Sequence, residues 1–512
     1  MSLDVLLIYP WLGSFDNLAK DIPLSLIYAA TDAVKKGYSV KILDLRIEKD
    51  HWRQAIDEAL KDGCHLIGFS VMTGKPISTS LIVSSYIKSK YNIPIVWGGP
   101  HPTILPKQTL ESKFVDFIIR DWGSIALLQL IEQIKNGKTK KEDITGLGYK
   151  QNGKIVLNPQ MSHFEVLDYR DIPYDLVNVD ATLYNRMKSG KLIFPFYSSM
   201  GCPWNCTFCM APATYKIVKG KKWQPYDVNT ILENLEYLES RYPIEVFQDY
   251  ADESFIELDR MKDFLNGYIQ RGFADKYKLD FRGVRINDLD KMDDEYLELM
   301  VRANVGMMFI GVESGSDRVL GIMKKNITTE QIIRVNKKLA RFPKLKPHYN
   351  FFSGIPGESE ESLRETANLL LQLVQDHPGC YLGYGAHWKP IPGSAITQTA
   401  VEEYGYQLPE TLEEWAEIDS FDAATPNYPW YTKKMASQIN LLGIAGLLLD
   451  AKTNDFTPNM GPIIGKLVRL LIYLYRPFLR FRLRHNFSNL LLEEKIKTFA
   501  LRNVGKFIVS MD

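Results

Sequence analysis

The stretch CPWNCTFC, residues 202–209, places three cysteines within one short segment of the chain. Cys202, Cys206 and Cys209 follow the spacing C-x3-C-x2-C, and three thiolates this close together can bind three irons of a [4Fe–4S] cluster. A structural zinc site would need a fourth ligand nearby. Apart from these three cysteines, residues 164–347 contain no Cys and no His. The spacing therefore favours a cluster whose fourth iron has no protein ligand.

Predicted strands and helices alternate around this segment over residues 190–390, as they would in a partial (β/α) barrel. The binding groups of a barrel lie at the C-terminal ends of its strands. The charged residues that follow the predicted strands are therefore candidate binding groups: Asp249, Asp252, Glu253, Arg285 and Glu313. Two structural alternatives stay open. The three neighbouring acids also suit helix N-caps, and Arg285 and Glu313 also suit salt bridges at the barrel rim.

Residues 1–140 show the same alternation, which begins with a predicted strand at 4–9 and a predicted helix at 24–36. This pattern predicts a doubly wound parallel sheet, whose ligands sit beyond the C-terminal strand ends. Three strand-end loops are candidate contacts for such a ligand: residues 70–74, 98–103 and 120–124. The paired glycines of the second loop would let the backbone approach a ligand closely. The fingerprint G-x-G-x-x-G is absent, which disfavours a dinucleotide.

The motifs of both regions resemble those of cobalamin-dependent radical S-adenosylmethionine (SAM) enzymes. GFSVMT, GGPHPT and VDFIIRDWGS in the first region are similar to the family's cobalamin-binding domain, although its third loop often reads R-G-E-G-E and here reads RDWGS. The cysteine spacing, with an aromatic residue before the last cysteine, is typical of the radical SAM superfamily. The strand ends DESF, GVESGS and SGIPG match the order of that superfamily's elements.

The resemblance implies a SAM site beside the cluster. The open iron would chelate the amino and carboxylate groups of SAM, and one electron would release a 5′-deoxyadenosyl radical. Arg285 would pair with the SAM carboxylate, because guanidinium forks suit that group, and Glu313 would accept from the amino group or a ribose hydroxyl. Asp252 and Glu253 would bind the cofactor from a neighbouring strand end. Phe208 would pack near the adenine side of the cluster.

The resemblance also implies a cobalamin site in the first domain. The residues that would contact it are Ser70, Val71, Met72, Thr73, Gly98, Gly99, Pro100 and His101. Residues 70–73 would face the corrin, and residues 98–103 would pack along the nucleotide tail. None of the eight histidines lies in the cobalt-ligating pattern D-x-H-x-x-G. We therefore expect no histidine at the lower face of the cobalt, and we interpret His101 as a loop residue.

By the same resemblance, we expect a class B methyltransferase that methylates an unactivated carbon through a 5′-deoxyadenosyl radical and methylcobalamin. The same domain pair also occurs in a porphyrin-ester cyclase and in ring-contracting enzymes, and a non-catalytic cobalamin or cluster sensor is a further alternative. A methylthiotransferase is disfavoured, because we find neither that family's cysteine-bearing N-terminal domain nor its small basic C-terminal β-barrel.

The expected domain plan has four parts: a cobalamin-binding domain at 1–140, a linker at 141–189, a radical SAM domain at 190–395 and a helical substrate-specificity region at 396–512. A formal net charge of +1 gives no indication of nucleic-acid binding. No apolar run reaches the roughly 18 residues of a transmembrane helix. We therefore expect a cytoplasmic protein. The resemblance further implies a small-molecule, lipid or peptide substrate and an electron donor such as flavodoxin or ferredoxin, and we expect a monomer.

One stretch near the C-terminus, residues 456–492, contains no acidic residue. Its six basic residues are interleaved with Leu, Ile, Tyr and Phe: Lys466, Arg469, Arg476, Arg480, Arg482 and Arg484. This pattern is typical of a surface that contacts a membrane or an anionic, partly apolar substrate. The alternative is a packed helix pair with its basic residues on the wet side.

Overall fold

The first parallel sheet begins at the N-terminus of the computed structural model, which describes residues 2–13, 16, 20–179, 181, 184, 190–418, 426–456 and 462–488. Its strands are β1 (Leu3–Tyr9), β2 (Val40–Asp44), β3 (Cys64–Ser70), β4 (Ile95–Gly98), β5 (Phe117–Ile119), β6 (Leu147–Gln151) and β7 (Lys154–Leu157). They lie in the order β2-β1-β3-β4-β5-β6-β7. Strands β1 to β5 pair in parallel, whereas β6 and β7 pair antiparallel.

Helices accompany the strands of this sheet: α1 (Leu24–Lys35), α2 (Trp52–Leu60), α3 (Lys75–Lys90), α4 (Pro100–Ile104), α5 (Pro106–Glu111) and α6 (Ser124–Asn136). Successive residues of a strand point to opposite faces. In β1, Val5 and Leu7 join one hydrophobic core, and Leu6 and Ile8 join another. Both faces of the sheet are therefore buried, which explains the continuous apolar runs in the sequence.

Two features of this first unit differ from the sequence prediction. Residues 98–103 do not form a simple loop, because Gly99 turns the chain with a φ of 99° and Pro100 then begins α4. The fixed φ of proline suits the first position of a helix, so His101 is helical and its interpretation as a loop residue is wrong. The sheet also continues beyond residue 140, since β6 and β7 form a hairpin within the segment predicted as a linker.

The second parallel sheet follows the predicted barrel pattern. Its strands are β8 (Leu192–Phe196), β11 (Ile244–Asp249), β12 (Lys278–Val284), β13 (Val305–Glu313), β14 (Lys346–Ser353) and β15 (Tyr381–His387), and β9 (Ser199–Gly201) and β10 (Trp223–Pro225) form a separate ribbon. The order is β15-β14-β13-β12-β11-β8, with every pair parallel. The helices of this unit are α7 (Ala211–Thr214), α8 (Val228–Glu239), α9 (Leu258–Gln270), α10 (Ile286–Lys291), α11 (Asp294–Arg302), α12 (Asp317–Ile322), α13 (Thr329–Leu339) and α14 (Glu360–Asp376).

The region after the barrel is mainly helical where the structure describes it: α15 (Ala395–Tyr404), α16 (Leu412–Ala416), α17 (Lys433–Leu448), α18 (Lys452–Phe456) and α19 (Pro462–Arg484). Helix α17 packs on β15, and α16 crosses to pack on α3 of the first unit. Among the helices described, none combines the length and the apolar character needed to cross a bilayer. The predicted α/β fold, with a doubly wound sheet, a partial barrel and a helical end, is confirmed.

Candidate functional site

The segment that carries the three cysteines leaves β9 and is held by the backbone and side chain of Thr207. The N–H of Thr207 donates to the carbonyl of Met323 at 3.0 Å, and its hydroxyl donates to the carbonyl of Ile322 at 2.9 Å. The carbonyl of Thr207 accepts from the N–H of Ile396 at 2.9 Å. The cysteine loop is therefore tied to the end of α12 on one side and to the start of α15 on the other.

Two sulfur atoms of the loop accept hydrogen bonds from neighbouring groups. Nη1 of Arg285 lies 3.6 Å from Sγ of Cys206, and the N–H of Ala211 donates to Sγ of Cys209 at 3.4 Å. Hydrogen bonds to sulfur are one of the ways a protein tunes an iron–sulfur cluster. Burial raises the pKa of Cys202 to about 12 and also raises the pKa of Cys209. Binding of a metal or cluster would therefore have to displace the protons of these thiols. Among the residues that the structure describes, no three Cys, His, Asp or Glu side chains are grouped closely enough to hold a metal ion, so the cluster at Cys202, Cys206 and Cys209 stays a prediction from their spacing.

Arg285 follows β12 and lies against the cysteine loop. Its guanidinium carbon lies 4.6 Å from the centre of the Trp204 ring, and Nη2 donates to the carbonyl of Lys325 at 2.7 Å. Its Nε lies 3.8 Å from Oε2 of Glu253. Among the described residues, Nε of Arg285 and Oε1 of Glu253 are buried without a hydrogen-bond partner. Burial raises the pKa of Glu253 well above its usual range. A buried cation and a buried acid with unused polar atoms fit a ligand that carries both a carboxylate and an amino group, as SAM does.

Glu313 ends β13 in a left-handed conformation, with a φ of 72°, which is uncommon for a residue other than glycine. Its Oε1 accepts from Nζ of Lys325 at 2.9 Å, and both side chains are buried. A Cβ at Gly311 would lie 2.7 Å from that Nζ, so the glycine leaves room for the lysine. The same Nζ lies 5.7 Å from the centre of the Phe208 ring. Glu313 therefore makes the rim salt bridge that was the alternative to cofactor binding, and the bridge lies beside the cysteine loop.

The three acids at the end of β11 and just after it have different surroundings, and none of them caps a helix. Asp249 accepts from the N–H of Ser198 at 2.9 Å and from the hydroxyl of Ser254 at 2.8 Å, so it joins β8 to β11. Asp252 accepts from the hydroxyl of Tyr215 at 2.7 Å. The next helix, α9, begins at Leu258 with a different N-cap residue. The N-cap alternative for these acids is wrong.

Aromatic rings from the C-terminal region lie over the ends of β14 and β15. Tyr428 and Trp430 stack with their centroids 4.8 Å apart, and Tyr431 packs edge-on to Tyr428 at 5.1 Å. The indole N–H of Trp430 donates to the carbonyl of Gly354 at 3.1 Å, and the hydroxyl of Tyr431 lies 3.4 Å from Nδ1 of His387. These rings are called the aromatic cluster below.

The aromatic cluster borders the cysteine loop and covers a buried acid. Phe208 of the loop packs edge-on to Phe352 of β14, with centroids 5.1 Å apart, and both belong to the partly buried residues around the same core. Glu358 accepts a hydrogen bond from the N–H of Gly354. Burial raises the pKa of Glu358 to about 7. The open end of the barrel thus has apolar walls and one acid that titrates near neutral pH.

A cavity of about 120 Å³ lies at the C-terminal ends of the strands in the first unit. Three of the predicted cobalamin contacts line it: Ser70, Gly98 and Gly99. Asp121 and Gly123 of the third predicted loop line it too, together with apolar side chains. Small residues and backbone at this edge leave a narrow space that fits the tail of a large ligand.

The other predicted contacts do not line this cavity. Val71 is fully buried, and its N–H donates to the carbonyl of Gly98 at 2.8 Å. His101 is also fully buried: its Nδ1 lies 3.0 Å from the Thr73 hydroxyl, and its ring packs edge-on to Trp415 of α16. Burial lowers the pKa of His101 to about 4. Met72, Thr73 and Pro100 are half-buried and lie outside the cavity lining.

A second cavity, of about 340 Å³, lies between the two units and shares Ser25, Ala29, Asp121 and Gly123 with the first. Its opposite wall includes Gly201, the residue before the cysteine loop, and Asp252. In the part of the chain that the structure describes, no histidine lines either cavity. Through their shared lining residues, the two spaces join the strand ends of the first sheet to the wall that carries Gly201 and Asp252.

Sequence reasoning missed several residues of this site. Lys325 stands twelve positions after Glu313 and belongs to no pattern that would indicate a salt bridge. Tyr215 contacts Asp252, and Trp415 contacts His101. The partners in each pair are far apart in the sequence, and hydrophobic periodicity does not reveal such contacts. The aromatic cluster had one signal, the dense run PNYPWY at residues 426–431.

Comparison with family models agrees with the two-unit architecture. Residues 12–131 match the B12 binding domain, and residues 196–370 match the radical SAM superfamily. The resemblance noted from the motifs is thereby confirmed.

Relatives among known proteins have several different activities in their names. An uncharacterized methyltransferase of Pyrococcus horikoshii is 25% identical over 88% of this chain and 94% of its own length. A cytidylyl-2-hydroxyethylphosphonate methyltransferase of Streptomyces wedmorensis is 23% identical over 67% of this chain and 71% of its own. The anaerobic magnesium-protoporphyrin IX monomethyl ester cyclase of Rubrivivax gelatinosus is 25% identical, and the match spans 54% of this chain and 48% of that protein.

Two solved structures share the fold. The methyltransferase TsrM from Kitasatospora setae, with cobalamin and a [4Fe–4S] cluster bound, superposes with a TM-score of 0.64 at 17% identity and 82% coverage of both chains. The radical enzyme OxsB, with aqua-cobalamin bound, gives a TM-score of 0.67 at 18% identity, covering 99% of this chain and 77% of its own. At these identities the similarity establishes the fold.

Proposed function

We propose that this chain, which combines a B12-binding domain with a radical SAM domain, is a methyltransferase that acts on an unactivated carbon of its substrate. The observation that carries the proposal is a pair of cavities that share four lining residues. One reaches the small-residue strand ends of the first sheet, and the other reaches Gly201 beside the cysteine loop. This placement would bring a methyl donor and a radical source to one substrate. The names of the relatives from Pyrococcus and Streptomyces, and that of TsrM, support methyl transfer.

Three cofactors follow from the domain pair: a [4Fe–4S] cluster, SAM and cobalamin. When bound, they supply a 5′-deoxyadenosyl radical and a transferable methyl group. Cys202, Cys206 and Cys209 would hold the cluster. Arg285 and Glu253 would bind the two charged groups of the methionine part of SAM. Lys325 would hold the side chain of Glu313 in position beside the cysteine loop.

The first unit would hold the cobalamin tail in the 120 Å³ cavity, against Ser70 and Gly98. With no histidine on the described walls of either cavity, we infer a lower cobalt face without an imidazole ligand. The EPR spectrum of the cob(II)alamin form should then lack nitrogen superhyperfine splitting from histidine. Splitting from a protein imidazole would contradict this part of the proposal.

The C-terminal region would select the substrate, because its aromatic cluster closes the open end of the barrel beside Phe208. Apolar walls exclude water, which protects a radical from side reactions. Both a small molecule and the apolar part of a lipid or a peptide side chain fit this chemistry, and the TsrM structure with tryptophan offers an example of a small substrate. We further infer a monomer that takes its electron from flavodoxin or ferredoxin.

The test follows the fate of SAM with an isotopically labelled methyl group. The reconstituted enzyme is reduced and incubated with small-molecule and lipid extracts, and products are identified by mass spectrometry. We expect labelled product to appear together with S-adenosylhomocysteine and 5′-deoxyadenosine. The variant with Cys202, Cys206 and Cys209 changed to Ala is the control and should form no 5′-deoxyadenosine.

A second candidate function keeps the cofactors and changes the reaction. The relative named as a protoporphyrin ester cyclase favours it. A cyclase or a rearranging enzyme would give 5′-deoxyadenosine and an altered product without the label. A non-catalytic sensor would give neither 5′-deoxyadenosine nor S-adenosylhomocysteine, and that result would contradict both catalytic functions.

A further inference from the structure

We propose that helix α19 binds the surface of an anionic lipid bilayer and lies in its interface. This inference concerns a helix that contains none of the residues assigned to the cofactors, and it does not depend on methyl transfer. Helix α19 has 23 residues, from Pro462 to Arg484, and is therefore about 34 Å long. It is the longest helix described, and its sequence contains no acidic residue.

One side of α19 is apolar and open to solvent. Its large apolar side chains are 48% to 80% exposed: Ile463, Ile464, Leu467, Leu470, Leu471, Tyr473, Leu474, Phe478 and Phe481. All except Tyr473 fall on one face at the spacing of three and four residues that defines a helical stripe. We call these eight residues the apolar stripe. A contiguous exposed patch of this kind marks an interaction site.

The opposite side of α19 is fixed to the protein. Leu479 and Leu483 are buried in the main core, and the helix packs on α14 and α17. Nε2 of Gln438 on α17 donates to Oδ1 of Asn486 at 2.6 Å, just beyond the helix end. The helix already packs its other side against the protein core. The exposed apolar stripe is therefore not a core-facing side that has lost its contacts.

The six basic residues of this stretch divide into two groups. Arg476 donates to the carbonyls of Leu448 and Asp450 at 2.7 and 2.6 Å, and Arg482 is buried and donates to the carbonyl of Phe487 at 3.0 Å. These two arginines hold the helix in place. The other four are exposed: Lys466, Arg469, Arg480 and Arg484. They follow one edge of the apolar stripe, which is the arrangement of an interfacial helix on anionic lipid.

The chemistry of this face selects a membrane surface over other partners. Basic residues along an apolar stripe match anionic headgroups above acyl chains. A second copy of the same face would bring like charges together, which disfavours a dimer through it. The helix does not qualify as a span, because four exposed charges and Pro477 lie within it.

Vesicle co-sedimentation tests the proposal with the full-length protein. Vesicles of phosphatidylcholine alone are compared with vesicles containing phosphatidylserine, at low and high salt. The first variant replaces Lys466, Arg480 and Arg484 with Gln. The second replaces Leu467, Leu470 and Leu474 with Ser. The matched control replaces the exposed Lys113, Lys140 and Lys154 of the first unit with Gln, which removes the same charge elsewhere.

We expect the wild type and the control to bind the anionic vesicles at low salt. At about 1 kcal/mol for each basic residue near the surface, the triple Gln variant should bind roughly a hundredfold more weakly. The triple Ser variant should lose binding at any salt concentration. Absence of wild-type binding, or equal binding by all four proteins, would overturn the proposal. Light scattering tests the alternative of a dimer. If the wild type had the mass of a dimer and the Ser variant that of a monomer, the apolar stripe would bind a second copy of the chain instead of a membrane.

Discussion

The hydroxyl of Tyr215 donates to Oδ2 of Asp252 at 2.7 Å, and this bond connects the segment after the cysteine loop to the strand end beside it. The ring of Tyr215 also stacks on Trp122 of the first unit, with centroids 6.4 Å apart. One residue thus contacts the B12-binding domain with its ring and the radical SAM domain with its hydroxyl. Both contacts lie on the wall of the cavity between the domains.

Changing Tyr215 to Phe should destabilise this junction. Asp252 is exposed to solvent at the cavity wall. Partial desolvation raises its pKa and the hydrogen bond from Tyr215 lowers it, so the loss of this donor leaves the carboxylate less well compensated. Because water can reach Asp252, we expect the free energy of unfolding at pH 7 to fall by only about 0.5–1.5 kcal/mol. Denaturant unfolding measures the change. In an Asp252→Asn background the same substitution should cost clearly less, and equal costs in both backgrounds would show that the bond contributes nothing.

Changing Cys202, Cys206 and Cys209 together to Ala should remove the iron and the visible absorbance of the cluster while cobalamin binding persists. The three thiols share one loop, whereas the cobalamin cavity is lined by other segments. Iron analysis and absorbance spectra are the measurements. Cys64→Ala and Cys380→Ala are the controls, because neither residue belongs to the loop, and they should leave iron content unchanged. A triple variant with its full iron complement would exclude the cluster assignment.

The parallel strands of the two sheets could largely be predicted because most of them are apolar runs bounded by turn residues, whereas the β6–β7 hairpin within the predicted linker was missed. The cysteine loop could be predicted because its chemistry depends on local spacing. Contacts between distant segments could not be predicted in this way. His101 shows the limit: its position in GGPHPT suggested a ligand loop, yet Trp415 from α16 buries its ring. Lys325 shows the same limit, since only the folded chain brings this residue, which follows α12, to Glu313 at the end of β13.

Gly98 and Gly99 should respond differently to a side chain. A Cβ on Gly98 would lie 3.7 Å from the carbonyl of Ile119, an ordinary contact, and would extend the lining of the 120 Å³ cavity. A Cβ on Gly99 would lie 2.9 Å from the N–H nitrogen of Val71, and the φ of 99° strains any other residue. We therefore expect Gly98→Val to fold normally and to bind less cobalamin.

Cobalamin occupancy and thermal unfolding of the cobalamin-free protein separate the two effects. Gly98→Ala should give an intermediate occupancy, and Gly99→Val should lower the stability of the protein even without cobalamin. Wild-type occupancy in Gly98→Val would exclude this cavity as the site of the cobalamin tail.

Glu358 should make the protein less stable as the pH rises. Its pKa is raised from 4.5 to about 7 by burial, so the folded protein keeps a proton that the unfolded chain releases above pH 4.5. The retained proton adds its full contribution to the free energy of unfolding below pH 4.5, the pKa of the unfolded chain. This contribution decreases as the pH rises from 4.5 to about 7. The shift corresponds to about 3 kcal/mol. Glu358→Gln removes the ionisation and should remove this part of the pH dependence.

The direction in which Glu358→Gln changes the free energy of unfolding at pH 8 distinguishes a carboxylate destabilised by burial from one stabilised by an ion pair. If burial dominates, Glu358→Gln is close to wild type near pH 4.5 and more stable than wild type at pH 8, because the amide has no charge to bury. If an unrecognised cation stabilised the carboxylate, the same variant would be less stable at pH 8. Denaturant unfolding at several pH values decides between them. Glu361→Gln is the matched control, since this carboxylate lies three positions further on, is exposed, and should leave the pH profile unchanged.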